Sequence, residues 1–199
     1  MAPLISLPDC YILWPHFFVT IITMPLTFSA AFTQQDWLNL SPMPHSLLTG
    51  LWRKWLLDKG SLTQNLKDLS PGDFSVKVTH TGFTRPSLSE ARALGIAVRQ
   101  MVYVREVQLC ICNKAQVLAR SVIPRSTLSG AERQLLVLNN KPLGEFLFSH
   151  KHMSRSRIEV KQGQVNNQPV WARRSIFKLN NKPLLVSEYF LAGLLEVKP

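Results

Sequence analysis

Two stripes of alternating apolar residues each hold a single charge: Arg105 in Met101-Tyr103-Arg105-Val107-Leu109, and Glu188 in Leu184-Val186-Glu188-Phe190. A period of two places every second side chain on one face of a β-strand, so each charge points where its apolar neighbours point. Desolvating an unpaired charge costs several kcal/mol or more. A fold for this chain must therefore give both groups a partner inside. Either they pair with each other as a structural ion pair, or they line a cavity that receives a polar ligand.

The length of 199 residues suits one domain with a full hydrophobic core, and an apolar fraction of 46% argues against general disorder. Lys and Arg number 23 against 12 Asp and Glu, a net charge of +11 that attracts anions of any kind. The basic residues are scattered, with short clusters at Arg53-Lys54, Arg155/Arg157 and Arg173-Arg174. No zinc-finger spacing, glycine-rich phosphate loop or basic-plus-heptad pattern accompanies them, so nucleic acid is not expected as the primary ligand. Cys10, Cys110 and Cys112 are odd in number, lack a CxxC spacing and have no His cluster beside them. They read as ordinary thiols of a reducing compartment rather than a disulfide framework or a zinc site.

Residues 1–35 form a hydrophobic leader, almost free of charge from Tyr11 to Phe32. That length of apolar chain can insert in a membrane. Against it stand Asp9, the absence of Lys or Arg ahead of the apolar run, and the helix-interrupting Pro15 and Pro25. Two readings stay open: translation starts at Met24 and the leader is not made, or the leader is a membrane or export segment. The expected domain spans residues 36–199.

Within it, Leu51 to Leu57 has a helical apolar pattern, and Ser61 can cap a second helix through Leu62, Leu66 and Leu69, ended by Pro71-Gly72-Asp73. Phe74 to Thr81 alternates as a strand. Ala97 to Ile111 and Gln116 to Ile123 read as a hairpin turning at Asn113-Lys114. Leu128 to Leu138 is helical, with Gly130 weakening its first turn, and Pro142 opens a shorter apolar segment, Leu143 to Phe148. Arg155 to Lys161 alternates again, before a polar turn at Gln162 to Gln168. Val170 to Leu179 and Pro183 to Leu191 form a last hairpin across Asn180-Asn181. This order predicts an α+β fold, a curved antiparallel sheet with helices on one side enclosing a cavity. LNNKPL, present at Leu138 to Leu143 and at Leu179 to Leu184, reads as repeated turn chemistry rather than a structural repeat, since its flanks differ.

Four ordered blocks resemble the bacterial chorismate pyruvate-lyase family. They are Tyr103-Val104-Arg105-Glu106-Val107; Arg120-Ser121-Val122-Ile123-Pro124 with Ser126-Thr127-Leu128-Ser129-Gly130; Lys141-Pro142-Leu143-Gly144; and Lys182-Pro183-Leu184-Leu185-Val186-Ser187-Glu188. The resemblance runs from about Leu47 to Ala192. It implies a single antiparallel six-stranded sheet with helices covering an internal ligand cavity. It also implies cleavage of chorismate to 4-hydroxybenzoate and pyruvate, the first committed step of ubiquinone biosynthesis, without metal or organic cofactor. By the same resemblance, Arg105 grips the ring carboxylate, Glu188 stands near the 4-hydroxyl end, and Leu143 holds the ligand through its backbone. Leu62 stands where the family commonly has methionine; the volumes are close, and a backbone contact survives such a swap. A cytoplasmic monomer with chorismate as its small-molecule partner and no stable membrane insertion is expected. The alternative is a noncatalytic effector domain that binds a small aromatic acid in the same kind of cavity.

The residue types fit the chemistry. Chorismate is a dianion, and an arginine offers two parallel N–H donors to a carboxylate. Loss of the C3 enolpyruvyl ether with the C4 hydrogen leaves an aromatic ring, so the protein needs chiefly to hold a reactive geometry and exclude water. Glu188 can hydrogen-bond the C4 hydroxyl or assist proton transfer. Other candidates rank lower. His80, His150 and His152 belong to no triad; Arg120 reads as a structural hydrogen-bond donor; Arg155 and Arg157 read as solvent-facing; and Trp52, Trp55 and Trp171 read as core.

Overall fold

Alternating apolar stretches become strands, and the short capped segments between them become helices that lie on the sheet. The computed structural model describes residues 37–39, 50–165 and 168–197. The leader over residues 1–35, with Cys10, and the Leu40–Leu48 stretch lie outside the described residues. In chain order the elements are β1 (Leu38–Asn39), α1 (Gly50–Leu57), α2 (Leu62–Leu69), β2 (Phe74–Thr84), α3 (Leu88–Leu94), β3 (Val102–Ile111) and β4 (Lys114–Pro124). A 3-10 helix (Gly130–Val137), α4 (Leu143–Ser149), β5 (Met153–Arg155), β6 (Glu159–Val165), β7 (Gln168–Leu179), β8 (Lys182–Phe190) and a second 3-10 turn (Ala192–Leu195) complete the chain.

The fold is α+β, with one antiparallel sheet in the order β1-β6-β7-β8-β4-β3-β2 and β5 paired with β7. The sheet has eight strands among the described residues rather than the six expected. The difference is β1 and β5, of two and three residues. The segment read as one strand over Arg155 to Lys161 is broken at Ser156, whose Oγ accepts from Ile176 N at 2.9 Å and whose N donates to Ile176 O at 2.8 Å. This clamp splits it into β5 and β6, both on β7. Pairing also runs through Gln162 and Gly163 to Val165 opposite Gln168, where a polar turn was expected; a strand tolerates polar residues on an open face, and Gln162 is exposed.

Two hairpins turn on paired positive φ values, Cys112 and Asn113 at 47° and 60°, and Asn180 and Asn181 at 48° and 66°. Such turns match the strand twist, and Asn tolerates the left-handed region. The first lies one residue earlier than expected, with Lys114 already in β4.

The expected long strand from Ala97 starts only at Val102, and α3 precedes it. The cause is a reciprocal cap: Glu90 N donates to Ser87 Oγ at 3.2 Å and Ser87 N to Glu90 Oε2 at 2.8 Å, while Gly95 closes the helix at φ 65°. The stretch expected as a helix over Leu128 to Leu138 is a 3-10 helix. Its first residue, Gly130, has φ 63°, and Ser129 makes no side-chain cap.

The central strands β3, β4 and β8 are buried on both faces. On one, Tyr103, Val107, Ile123, Phe177, Leu184, Val186 and Phe190 pack under α1, α2, α4 and the first 3-10 helix. On the other, Val102, Val104, Val122 and Leu185 pack against Leu94 of α3. Helices therefore cover both sides, not one. Among the described residues no helix is long and apolar enough to cross a membrane.

Candidate functional site

Pairing aligns one face of four central strands into two rows. Arg105 on β3 lies opposite Ser121 on β4, which lies opposite Val186 on β8; in the next row Val107, Ala119, Glu188 and Arg173 follow one another across β3, β4, β8 and β7. Neighbouring strands stand about 4.8 Å apart, so the backbones carrying Arg105 and Glu188 are separated by two strand spacings, about 10 Å. Ala119 and Ser121 on the strand between them are small. All seven of these residues floor a single pocket, and Gly60, Leu62, Thr63, Leu143, Gly144, Leu147 and Phe148 close over it from α2, α4 and the loop before α2.

The two covering helices meet at Gly144. A Cβ there would stand 2.7 Å from Thr63 Oγ1, so only glycine permits this approach. An ion pair between Lys67 and Glu145 joins the same helices. Leu62 and Leu143 are each the first residue of their helix and are buried. Backbone N–H groups of a first helical turn have no partner within the helix; Ser61 Oγ takes that of Gln64, and those of Leu62 and Leu143 are left for a ligand.

Arg105 and Glu188 line the same pocket but bond to other groups. Arg105, 3% exposed, donates from Nη2 to Asn139 O at 2.8 Å and Lys141 O at 3.0 Å, pinning the loop that leads into α4. Its Nε has no hydrogen-bond partner among the described residues. Burial lowers its pKa, but a guanidinium starts so high that it stays charged.

Glu188 Oε2 accepts from Arg173 Nε at 2.5 Å. Arg173 is fully buried, and its Nη1 donates to Trp55 O at 2.7 Å and Asp58 O at 2.8 Å, satisfying carbonyls at the C-terminal end of α1. Arg155 lies at the same end of the pocket, half-buried, with Nε on Ser175 Oγ at 3.1 Å and Nη1 on Lys59 O at 3.1 Å. It is not the solvent-facing residue expected, because the β5 bend brings it over Phe177, 5.0 Å from the ring centroid. Arg157 is exposed.

Sequence reasoning missed Arg173 as part of this site, although the signal was present. Trp171-Arg173-Ser175-Phe177 is the same kind of apolar stripe with one charge as those that singled out Arg105 and Glu188. Arg120 lies on the opposite face of the sheet, held by Glu90 at 2.7 Å and Glu106 at 2.5 Å, a structural role away from the pocket. His80 and His152 are exposed, and His150 stacks near Phe146. Trp55 is buried, while Trp52 and Trp171 are partly buried against the same core. Among the described residues no group of His, Cys, Asp or Glu is assembled as metal ligands would be.

The pocket thus carries three guanidinium groups and one carboxylate, an excess of two positive charges, between apolar walls. Such a site suits a small dianion with a hydrophobic body. The family model described as chorismate lyase matches residues 32–196. A protein named probable chorismate pyruvate-lyase from Methylococcus capsulatus is 40% identical over 155 residues, covering 72% of this chain and 96% of the relative. One of the same name from Marinobacter nauticus is 42% identical over 144 residues, covering 71% and 77%. Among solved structures, the effector domain of PhnF from Mycobacterium smegmatis overlaps 69% of this chain and 91% of its own at 12% identity and a TM-score of 0.48.

Proposed function

The chain belongs to the chorismate lyase family, and we propose that it converts chorismate to 4-hydroxybenzoate and pyruvate without metal or organic cofactor. The observation that carries the reading is the placement of Arg105 and Glu188 in one pocket, about two strand spacings apart. In the reaction the C3–O ether bond breaks, the C4 hydrogen leaves, and the methylene carbon of the departing enolpyruvyl group gains a proton. The ring becomes 4-hydroxybenzoate and the side chain pyruvate.

Arg105 holds the ring carboxylate through the guanidinium N–H groups left over by the Asn139 and Lys141 carbonyls, both of which bond Nη2. Glu188, fixed by Arg173, takes the C4 hydroxyl end, and the first-turn backbone of Leu143 and Leu62 closes over the ligand. Enclosure between the sheet and the covering helices then supplies orientation and exclusion of water. The same reading makes 36–199 one catalytic domain of a cytoplasmic monomer, with chorismate rather than nucleic acid as ligand, and supplies the entry step of ubiquinone synthesis.

The test is product formation by the purified chain after metal chelation, followed for both products. Equimolar 4-hydroxybenzoate and pyruvate are expected. Tight 4-hydroxybenzoate binding by a folded protein that leaves chorismate intact would replace the lyase by a noncatalytic binding domain.

A further inference from the structure

Arg173 is 0% exposed, and its Nη2 has no hydrogen-bond partner among the described residues. Its other nitrogens are committed, Nε to Glu188 and Nη1 to the carbonyls of Trp55 and Asp58, so the side chain cannot swing to satisfy the third. An unmade hydrogen bond on a buried charged group is costly, and the pocket that Arg173 lines is where a partner can approach. Arg155 meets the same end of the pocket from β5. Burial and then the positive charge of Arg173 lower its pKa, with Glu188 and Asp58 acting the other way. Two guanidinium groups thus face one carboxylate. The Asp58 carboxylate is turned to Gly60 N at 3.1 Å and Asn65 Nδ2 at 2.6 Å and does not line the pocket.

We propose that Arg173 and Arg155 seat the second carboxylate of the substrate, the one on the three-carbon side chain that leaves as pyruvate. This rests on the chorismate reading and adds to it a pair that tells substrate from product. The ring carboxylate lies at Arg105, and the C4 hydroxyl at Glu188. Carbon C3, which bears the side chain, is the neighbour of C4, so the side-chain carboxylate falls beside Glu188, where Arg173 is already bonded. The charges agree: one cation at the Arg105 end, and two cations with one anion at the other, against a dianion with one carboxylate at each end. 4-Hydroxybenzoate lacks the second carboxylate and cannot use this seat. The pair therefore favours chorismate over the product that competes for the pocket.

The experiment compares chorismate kinetics with 4-hydroxybenzoate binding in the full chain and in Arg155→Gln and Arg173→Lys. Arg155 is half-buried at the end of a three-residue strand, so Arg155→Gln decides the matter if Arg173→Lys does not fold. For Arg155→Gln, KM for chorismate rises by about tenfold or more, as loss of a charge-assisted contact implies, while Kd for 4-hydroxybenzoate stays within about twofold. For a folded Arg173→Lys, which also loosens Glu188, kcat/KM for chorismate falls by at least the same factor while product affinity changes only a few-fold. If wild-type chain cleaves chorismate but Arg155→Gln has unchanged KM, or loses product affinity as much as substrate affinity, the inference is overturned and the lyase reading stands. A wild-type chain inert toward chorismate overturns both.

Discussion

Arg105 and Glu188 are held by different neighbours, so removing their charges has different consequences. Arg105→Ala deletes the clamp on Asn139 O and Lys141 O together with the cation for the ring carboxylate. Truncating one partner of a buried, hydrogen-bonded charge pair costs about 2–5 kcal/mol. Both substrate and product affinity should fall accordingly. Glu188→Gln keeps the shape but replaces the ion pair with Arg173 by a hydrogen bond from the guanidinium to a neutral amide oxygen. Turnover should fall by about tenfold or more, with 4-hydroxybenzoate affinity within a few-fold. Steady-state kinetics beside product titration and thermal melting separate these cases, and wild-type kinetics in both folded variants would show that neither residue touches the ligand. Alternation of strand side chains alone sets these two charges among apolar neighbours, which is why they were legible in the sequence. Their partners were not, because partner choice depends on strand order: Arg173 meets Glu188 only because β7 lies beside β8 in this register.

At the scale of elements, the pocket roof depends on how closely α2 and α4 approach. Gly144→Ala would put a methyl group 2.7 Å from Thr63 Oγ1 and 3.3 Å from Ser61 Oγ. Overpacking of this kind costs about 1–3 kcal/mol and here would be relieved by parting the two helices. A lower melting temperature and a raised KM are expected, and adding Thr63→Ala, which removes the nearest atom, should recover much of both. A Gly144→Ala protein with unchanged melting and KM would mean that the roof has slack. Elements with a strong local signal were readable: α2 starts at Ser61, whose Oγ accepts from Gln64 N at 3.3 Å, and the Asn180-Asn181 turn sets the last hairpin. The cap of α3 was also written in the chain, as Ser87-x-x-Glu90 with Gly95 behind it, but its seven residues are too short to show a clear helical period. The break between β5 and β6 had no such signal, because the Ser156 clamp is made by Ile176 of a strand distant in sequence.

Over the whole molecule, acidic groups that tie separate segments together set the response to acid. Glu132 accepts from Lys182 Nζ at 2.7 Å and from Asn180 Nδ2 at 2.8 Å, joining the first 3-10 helix to the β7–β8 turn. These bonds hold its pKa down to about 2, from an ordinary value of 4.5. Burial pushes Glu90 up, but the hydrogen bonds and charge of Arg120 more than reverse it, and the result is also a lowered value. A carboxyl whose folded pKa lies below its unfolded one contributes stability that is fully present above the unfolded value and is lost as pH falls through the folded value. For Glu132 that window runs from about 4.5 down to about 2. Protonation there also leaves the excess of Lys and Arg, already +11 at neutral pH, without its counterweight, so repulsion acts in the same direction. The melting temperature should therefore stay nearly flat above about pH 5 as far as these groups govern it, and drop across the window. Lys182→Met removes the first cause of the Glu132 shift. It should melt lower than wild type at pH 7, and the gap between the two should narrow as pH falls from about 4.5 through about 2, where Glu132 becomes protonated in the wild type as well. Melting curves at half-unit steps decide this: a gap that stays constant across the window would assign the effect of Lys182 to packing or to its bond with Ser129 O rather than to the titration of Glu132.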